Sequence, residues 1–200
     1  MPTTIFLQLI VHILLGYREL RDSDYYRDDP LVKRILGLKR LPDVATISRA
    51  LKDAGEQSVE KLRCFLRDMV LERLGKLQLA RITLDFDGSV QSTGRSAEGT
   101  AVGFNKKKKG MRSYYPLFCT IAQTGQVLDF LHRSGNVHDS RGAKDFILAS
   151  IRAVRQMAPA ARIEVRIDSA FFSDDIVTLL DEQDVEFSVS VPFERFPQLK

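Results

Sequence analysis

The spacing of apolar residues changes character once along the chain, near residue 80. Before that point it is helical. Ile5 to Leu15 is an apolar run long enough for a buried helix. Asp29 followed by Pro30 is a helix start, a side-chain acceptor ahead of a residue that lacks the N–H that would be orphaned there, and Gly37 stops that helix. Asp43 caps a further helix with Val44, Ile47, Ala50 and Leu51 on one face and Gly55 at its end. Ser58 opens a longer one, in which Val59, Leu62, Phe65, Leu66, Met69 and Leu74 recur at helical spacing.

From Arg81 the period becomes two. Ile82, Leu84 and Phe86 alternate with Thr83, Asp85 and Asp87, a strand with one apolar face. A polar, glycine-containing stretch runs from Gly88 to Gly110. Ser113–Ala122 and Gln126–Arg133 read as a hairpin turning at Thr124 and Gly125. Asp139 caps a helix through Phe146, Ile147, Ile151, Val154 and Met157. Arg162–Asp168 alternates again, Ser173–Glu182 is a short helix, and Val185–Val191 a last strand. The division predicted is a helical region over residues 1–79 and an α/β region over 80–200, ordered β-β-β-α-β-α-β. A three-strand meander, then a helix crossing to a fourth strand, is the order of a ribonuclease-H-like mixed sheet, in which the fourth strand lies beside the first.

That order gives two aspartates a meaning neither has alone. Asp87 closes the first strand and Asp168 the fourth, so the sheet brings them to one edge. Taken singly, Asp87 before Gly88 makes a turn and Asp168 before Ser169 caps a helix. As a pair they can bridge divalent cations about 3.5–4 Å apart and clamp both oxygens of an in-line phosphoryl displacement. Magnesium suits such oxygen ligands and keeps waters that become nucleophiles. Asp85 shares a strand face with Asp87 and is an alternative ligand or a supporting partner.

Charge adds a partner. The 200-residue chain carries a net +4, mild by itself, but six basic residues (Arg95, Lys106, Lys107, Lys108, Lys109 and Arg112) fall between Gly88 and Tyr115 against a single acid, Glu98. A phosphate backbone passing the Asp87 strand end would meet them, and Tyr114 and Tyr115 offer faces on which an unpaired base can stack. Of the histidines, His138 sits where it can face the acidic edge, whereas His12 and His132 belong to packing. Cys64 and Cys119 are too few and too distant for a disulfide framework or zinc site. Ile5–Leu15 is shorter than the roughly 20 residues of a membrane span and no basic residue precedes it, so the expectation is a cytoplasmic protein with no membrane partner.

On the blocks LRDSDYYRDDPLVKRILGLKRLPDVATISRAL, LDFDGSV, GMRSYYPLFCTIAQTGQVL, RSGNVHDSRGA and VRIDSAFFS, in this order over almost the whole chain, the sequence resembles a bacterial insertion-sequence transposase of the DDE type. The resemblance implies a catalytic domain that cuts DNA at element ends and joins the freed hydroxyl to a target. It places the first catalytic acid at Asp87 and the second at Asp168, both binding Mg2+ (or Mn2+), and implies a homo-oligomer working on paired ends. The family's third acid, a glutamate, lies on a helix beyond the last strand. Here the last acid is Glu194, between two prolines, so the expectation is a fragment without that acid, unable to complete strand transfer. Two other readings compete. LDFDGSV is also similar to the first motif of haloacid-dehalogenase-type phosphatases, with Asp85 as nucleophile and Asp87 as general acid. The third reading is a transposase remnant that binds DNA without cutting it.

Overall fold

The computed structural model describes residues 3–93, 97–103, 105, 108–138 and 140–191. The expected caps at Asp139 and the acid Glu194 lie outside the described residues, as do Arg95, Lys106 and Lys107. Two compact units divide the chain, Met1–Arg63 and Cys64–Lys200.

The first unit is helical. Its opening helix α1 (Thr3–Leu14) corrects the expectation of a buried apolar rod. The residues it buries are Ile5, Gln8 and His12, while Ile13 and Leu14 are exposed. The polar pair is inside because it has partners: Gln8 donates to the Pro42 carbonyl at 3.2 Å, and a His12 ring nitrogen lies 2.9 Å from the Tyr26 hydroxyl. A 3-10 turn over Leu20–Tyr25 follows. Helix α2 (Pro30–Ile35) begins on Asp29, whose carboxylate accepts the Leu31 and Val32 N–H groups at 2.7 and 3.0 Å. It ends at Gly37, whose positive φ of 65° returns Leu38 N–H to the Lys33 carbonyl. Helix α3 (Val44–Lys52) is capped by Asp43 through the Thr46 N–H.

Helix α4 (Glu56–Leu77) starts at Glu56 rather than Ser58 and buries Leu71 and Leu74, whereas Val59, Phe65, Leu66 and Met69 are exposed. Strand β1 (Arg81–Gly88) then begins the sheet. The stretch read as polar loop contains two short strands, β2 (Gln91–Ser92) and β3 (Ala101–Val102). Both pair with β4 (Arg112–Tyr114) in a small sheet of order β2-β4-β3. The hairpin is correspondingly shorter than expected: β5 (Leu117–Ile121) and β6 (Gln126–Leu131), joined through Gly125 at φ 65°. Pro116, which has no N–H to give a ladder, stands between β4 and β5. Helix α5 (Ala143–Met157), strand β7 (Arg162–Ile167), a 3-10 turn over Ser169–Phe171, helix α6 (Asp174–Glu182) and strand β8 (Glu186–Val189) complete the described chain.

The larger sheet has the order β6-β5-β1-β7-β8. β5 runs antiparallel to β1 and to β6, while β7 is parallel to β1 and to β8. The fourth main strand thus lies beside the first, as the element order predicted, and the fold is a ribonuclease-H-like mixed α/β sheet. One core serves it: Ile82, Leu84 and Phe86 of β1, Val165 and Ile167 of β7, Ile147 and Ile151 of α5 and Leu180 of α6 are all buried in a single cluster. Phe146 of α5 meets Phe86 edge-on at 5.8 Å between centroids, so this apolar face of β1 points toward the helix. The alternate residues Asp85 and Asp87 therefore point the other way.

Candidate active site on the acidic sheet edge

Register decides which acids become neighbours. The last β1–β7 pair is Phe86 with Ile167, and the pair before it Asp85 with Arg166. Asp87 and Asp168 are each the next residue along their parallel strands, at the same end of the sheet. Phe86 and Ile167 are buried, so the residues flanking them, Asp85 and Asp87 on one strand and Arg166 and Asp168 on the other, belong to the opposite face. Asp87 and Asp168 are exposed, and Asp85 is partly so.

Each acid has different neighbours. Asp168 Oδ1 accepts the Ala170 N–H at 2.9 Å, capping the 3-10 turn that follows β7. A carboxylate has about four acceptor positions, so a cap and a cation are compatible on one side chain. Asp87 has no ion-pair partner among the described residues. Asp85 faces the Arg166 guanidinium, with Oδ1 and Nη1 4.0 Å apart. Arg166 in turn donates to both oxygens of Glu164, at 3.3 and 3.4 Å. Glu164 also accepts the Thr83 hydroxyl at 2.8 Å, and Thr83 is held by Gln123 through its hydroxyl and its backbone N–H. The Thr83 hydroxyl, with Arg166 behind it, keeps the Glu164 carboxyl below its ordinary range.

Two aromatic and basic residues border the same strand end. The Tyr115 ring lies so close to Gly88 that a Cβ there would stand 2.5 Å from the phenol oxygen. Arg133 lies 5.0 Å from the centroid of that ring, and its Nε donates to the Tyr115 carbonyl at 3.0 Å. Sequence spacing pointed to neither contact. The fit of a ring onto a missing side chain leaves no periodic trace. His138 bonds locally, its Nδ1 lying 2.9 Å from the Ser140 hydroxyl, and His132 lies 4.6 Å from the Tyr114 ring.

The basic tract divides. Lys108 and Lys109 are exposed. They follow Asn105, a buried side chain that donates to the Ser92 hydroxyl at 2.8 Å and accepts the Lys108 N–H at 2.9 Å. Arg112 is also exposed, but its guanidinium is tied to the loop before β3, with Nε donating to the Thr100 hydroxyl at 3.0 Å and Nη2 to the Thr100 carbonyl.

Carboxylates such as Asp87 and Asp168 are the donors that a hard, oxygen-preferring divalent cation takes. Among the described residues no three of His, Cys, Asp and Glu are grouped so as to hold a metal ion. The acids that the register places at this strand end are Asp87 and Asp168.

A mixed five-stranded sheet in this order, with its fourth main strand parallel to and beside the first, places the chain in the ribonuclease-H-like fold class. The chain belongs to the transposase DDE domain group 1 family, whose model matches residues 1–195. No curated protein matches it. Among solved structures it is similar to the Mos1 mariner paired-end complex with Mn at 11% identity, covering 86% of this chain and 58% of that one, TM-score 0.40. The Mos1 transposase catalytic domain with Raltegravir and Mg is 11% identical over 66% of this chain and 61% of that one, TM-score 0.38. The piggyBac transposase synaptic complex with hairpin DNA is 12% identical over 90% and 42%, TM-score 0.45. The chain spans less than two thirds of the length of each of these solved chains. No described helix is long and apolar enough to cross a membrane.

Proposed function

We propose that this protein is a DNA transposase whose catalytic region, residues 80–200, holds divalent cations, Mg2+ or Mn2+, on Asp87 and Asp168, and whose helical region, residues 1–79, precedes it. The observation that carries the reading is the parallel pairing of β1 with β7 ending at Phe86 and Ile167, one residue short of each aspartate. Cations bound there would polarise a scissile phosphate and lower the pKa of an attacking water or hydroxyl. The protein's own part is to fix the carboxylates on strand ends backed by a buried core, which keeps both on one face without reorganisation. Arg95, Lys106, Lys107, Lys108, Lys109 and Arg112 form the tract proposed to meet the phosphate backbone. Lys108 and Lys109 approach it as exposed charges, and Arg112 shapes the small sheet that presents them. The partners proposed are element-end and target DNA in the bacterial cytoplasm, together with further copies of the chain.

The phosphatase reading fares worse. It needs helices alternating with strands after LDFDGSV, whereas β1 is followed in the described chain by β2 to β6 before the next helix. It also gives the basic tract nothing to do.

Mn2+ titration of the full chain, followed by calorimetry and by the Mn2+ paramagnetic resonance signal, tests the assignment. Asp87→Asn and Asp168→Asn are each expected to weaken Mn2+ binding by at least about tenfold, the loss that even outer partners of metal sites produce. The circular dichroism spectrum should stay unchanged. Unaltered Mn2+ binding in both variants would overturn the reading.

A further inference from the structure

Three acids, Asp85, Asp87 and Asp168, share the open face of β1 and β7, yet their surroundings are not equivalent. Arg166 is the reason. It is the register partner of Asp85 across the parallel ladder, and its guanidinium faces that carboxylate at 4.0 Å. The guanidinium is held from behind. Glu164, two residues earlier on the same strand face, accepts from its Nε and Nη2. Glu164 is in turn held by the Thr83 hydroxyl at 2.8 Å, and Arg81 adds a further contact at 3.8 Å. The chain of contacts Gln123–Thr83–Glu164–Arg166–Asp85 runs along the face and stops one alternation short of Asp87. A planar guanidinium anchored on one carboxylate presents its remaining N–H groups in a fixed direction.

We infer that Arg166 is a positioning residue that removes Asp85 from the cation-binding set, so that Asp87 and Asp168 alone face the metal. The inference rests on the metal-binding reading proposed above. Asp85 sits closer to the sheet centre than Asp87 and would otherwise compete for the same ion. With a guanidinium opposite at 4.0 Å, its carboxylate already has a cation of the protein facing it. The two-carboxylate edge is therefore set by a cation that belongs to the protein itself.

Mn2+ titration of the full chain with the same two readouts tests this through a double-mutant cycle on Asp85 and Arg166. In the presence of Arg166, Asp85→Asn should change Mn2+ affinity by less than about twofold. Arg166→Gln should tighten Mn2+ binding by about fivefold, the effect of one unit charge about 4 Å from another in water, and alter the resonance line shape as a third carboxylate joins. Adding Asp85→Asn to Arg166→Gln should reverse both changes, and Arg166→Lys, which keeps the charge, should stay near the parent. Circular dichroism monitors folding of each variant.

Two results would overturn the inference while leaving the metal reading intact. One is a loss of affinity in Asp85→Asn as large as in Asp87→Asn. The other is a cycle in which Arg166→Gln and Asp85→Asn act independently. If Mn2+ binding is absent, or insensitive to both Asp87→Asn and Asp168→Asn, the metal reading itself fails and takes the inference with it.

Discussion

Thr83 shows how much a single position can carry. Its side chain is buried, yet its hydroxyl donates to Glu164 and accepts from Gln123. The Glu164 carboxyl is held below its ordinary value of 4.5, first by that hydroxyl and then by Arg166. A depressed carboxylate contributes stability that is present above its unfolded pKa and lost as pH falls through the lower, folded one. Thr83→Val removes the largest cause. The stability gap between the parent and Thr83→Val is therefore expected to be widest near neutrality and to shrink as pH falls from about 5 towards 3. Urea midpoints measured across that range check it, and a gap that grew on acidification would contradict the assignment. The sequence made Asp87 and Asp168 visible because each ends an alternating run before a turn or cap residue. Arg166 was not visible as a partner. Its alternation put it on a face, but only the β1–β7 register puts that face opposite Asp85.

At the scale of elements, what could be read were those with a strong local cause. Asp29 before Pro30, Asp43 before an apolar stripe, and Thr124–Gly125 between alternating runs each gave an element where it was expected. What could not be read were strands too short to alternate, β2 and β3, whose pairing comes from β4 rather than from their own residues. Helix α1 escaped for the opposite reason: its apolar run is genuine, but hydrogen-bond partners elsewhere in its unit select Gln8 and His12 for burial. The turn out of β1 carries a measurable version of such long-range fitting. Gly88→Ala would place a methyl 2.5 Å from the Tyr115 phenol oxygen. It is expected to cost about 1–3 kcal/mol, the range for overpacking. Tyr115→Leu should recover part of that loss in the double variant, since the two residues touch. Equal losses in the single and double variants, read from denaturant midpoints, would show that the ring is not the obstacle.

At the scale of the whole molecule, strand order was legible because so few topologies accept a meander followed by a helical crossover. The division into units at Arg63 and Cys64 was not, because it falls inside the continuous helix α4, where no turn residue marks it. Charge acts at this scale too. If Lys108 and Lys109 meet phosphates, the logarithm of DNA affinity should fall linearly with the logarithm of salt concentration. The double variant Lys108→Ala/Lys109→Ala should reduce that slope by about 2, near one per lost contact. An unchanged slope would remove these lysines from the interface.

The adjacency of β1 and β7 also has a consequence for the birth of the molecule. The acids at their tips come from segments separated by the small sheet, the hairpin and α5, and no local fragment can bring them together. While a ribosome is still extending the polypeptide toward Asp168, the first aspartate has no companion, and it gains one only when the later strand docks. Whatever chemistry needs both acids therefore has to wait until the later strand has docked on the earlier one.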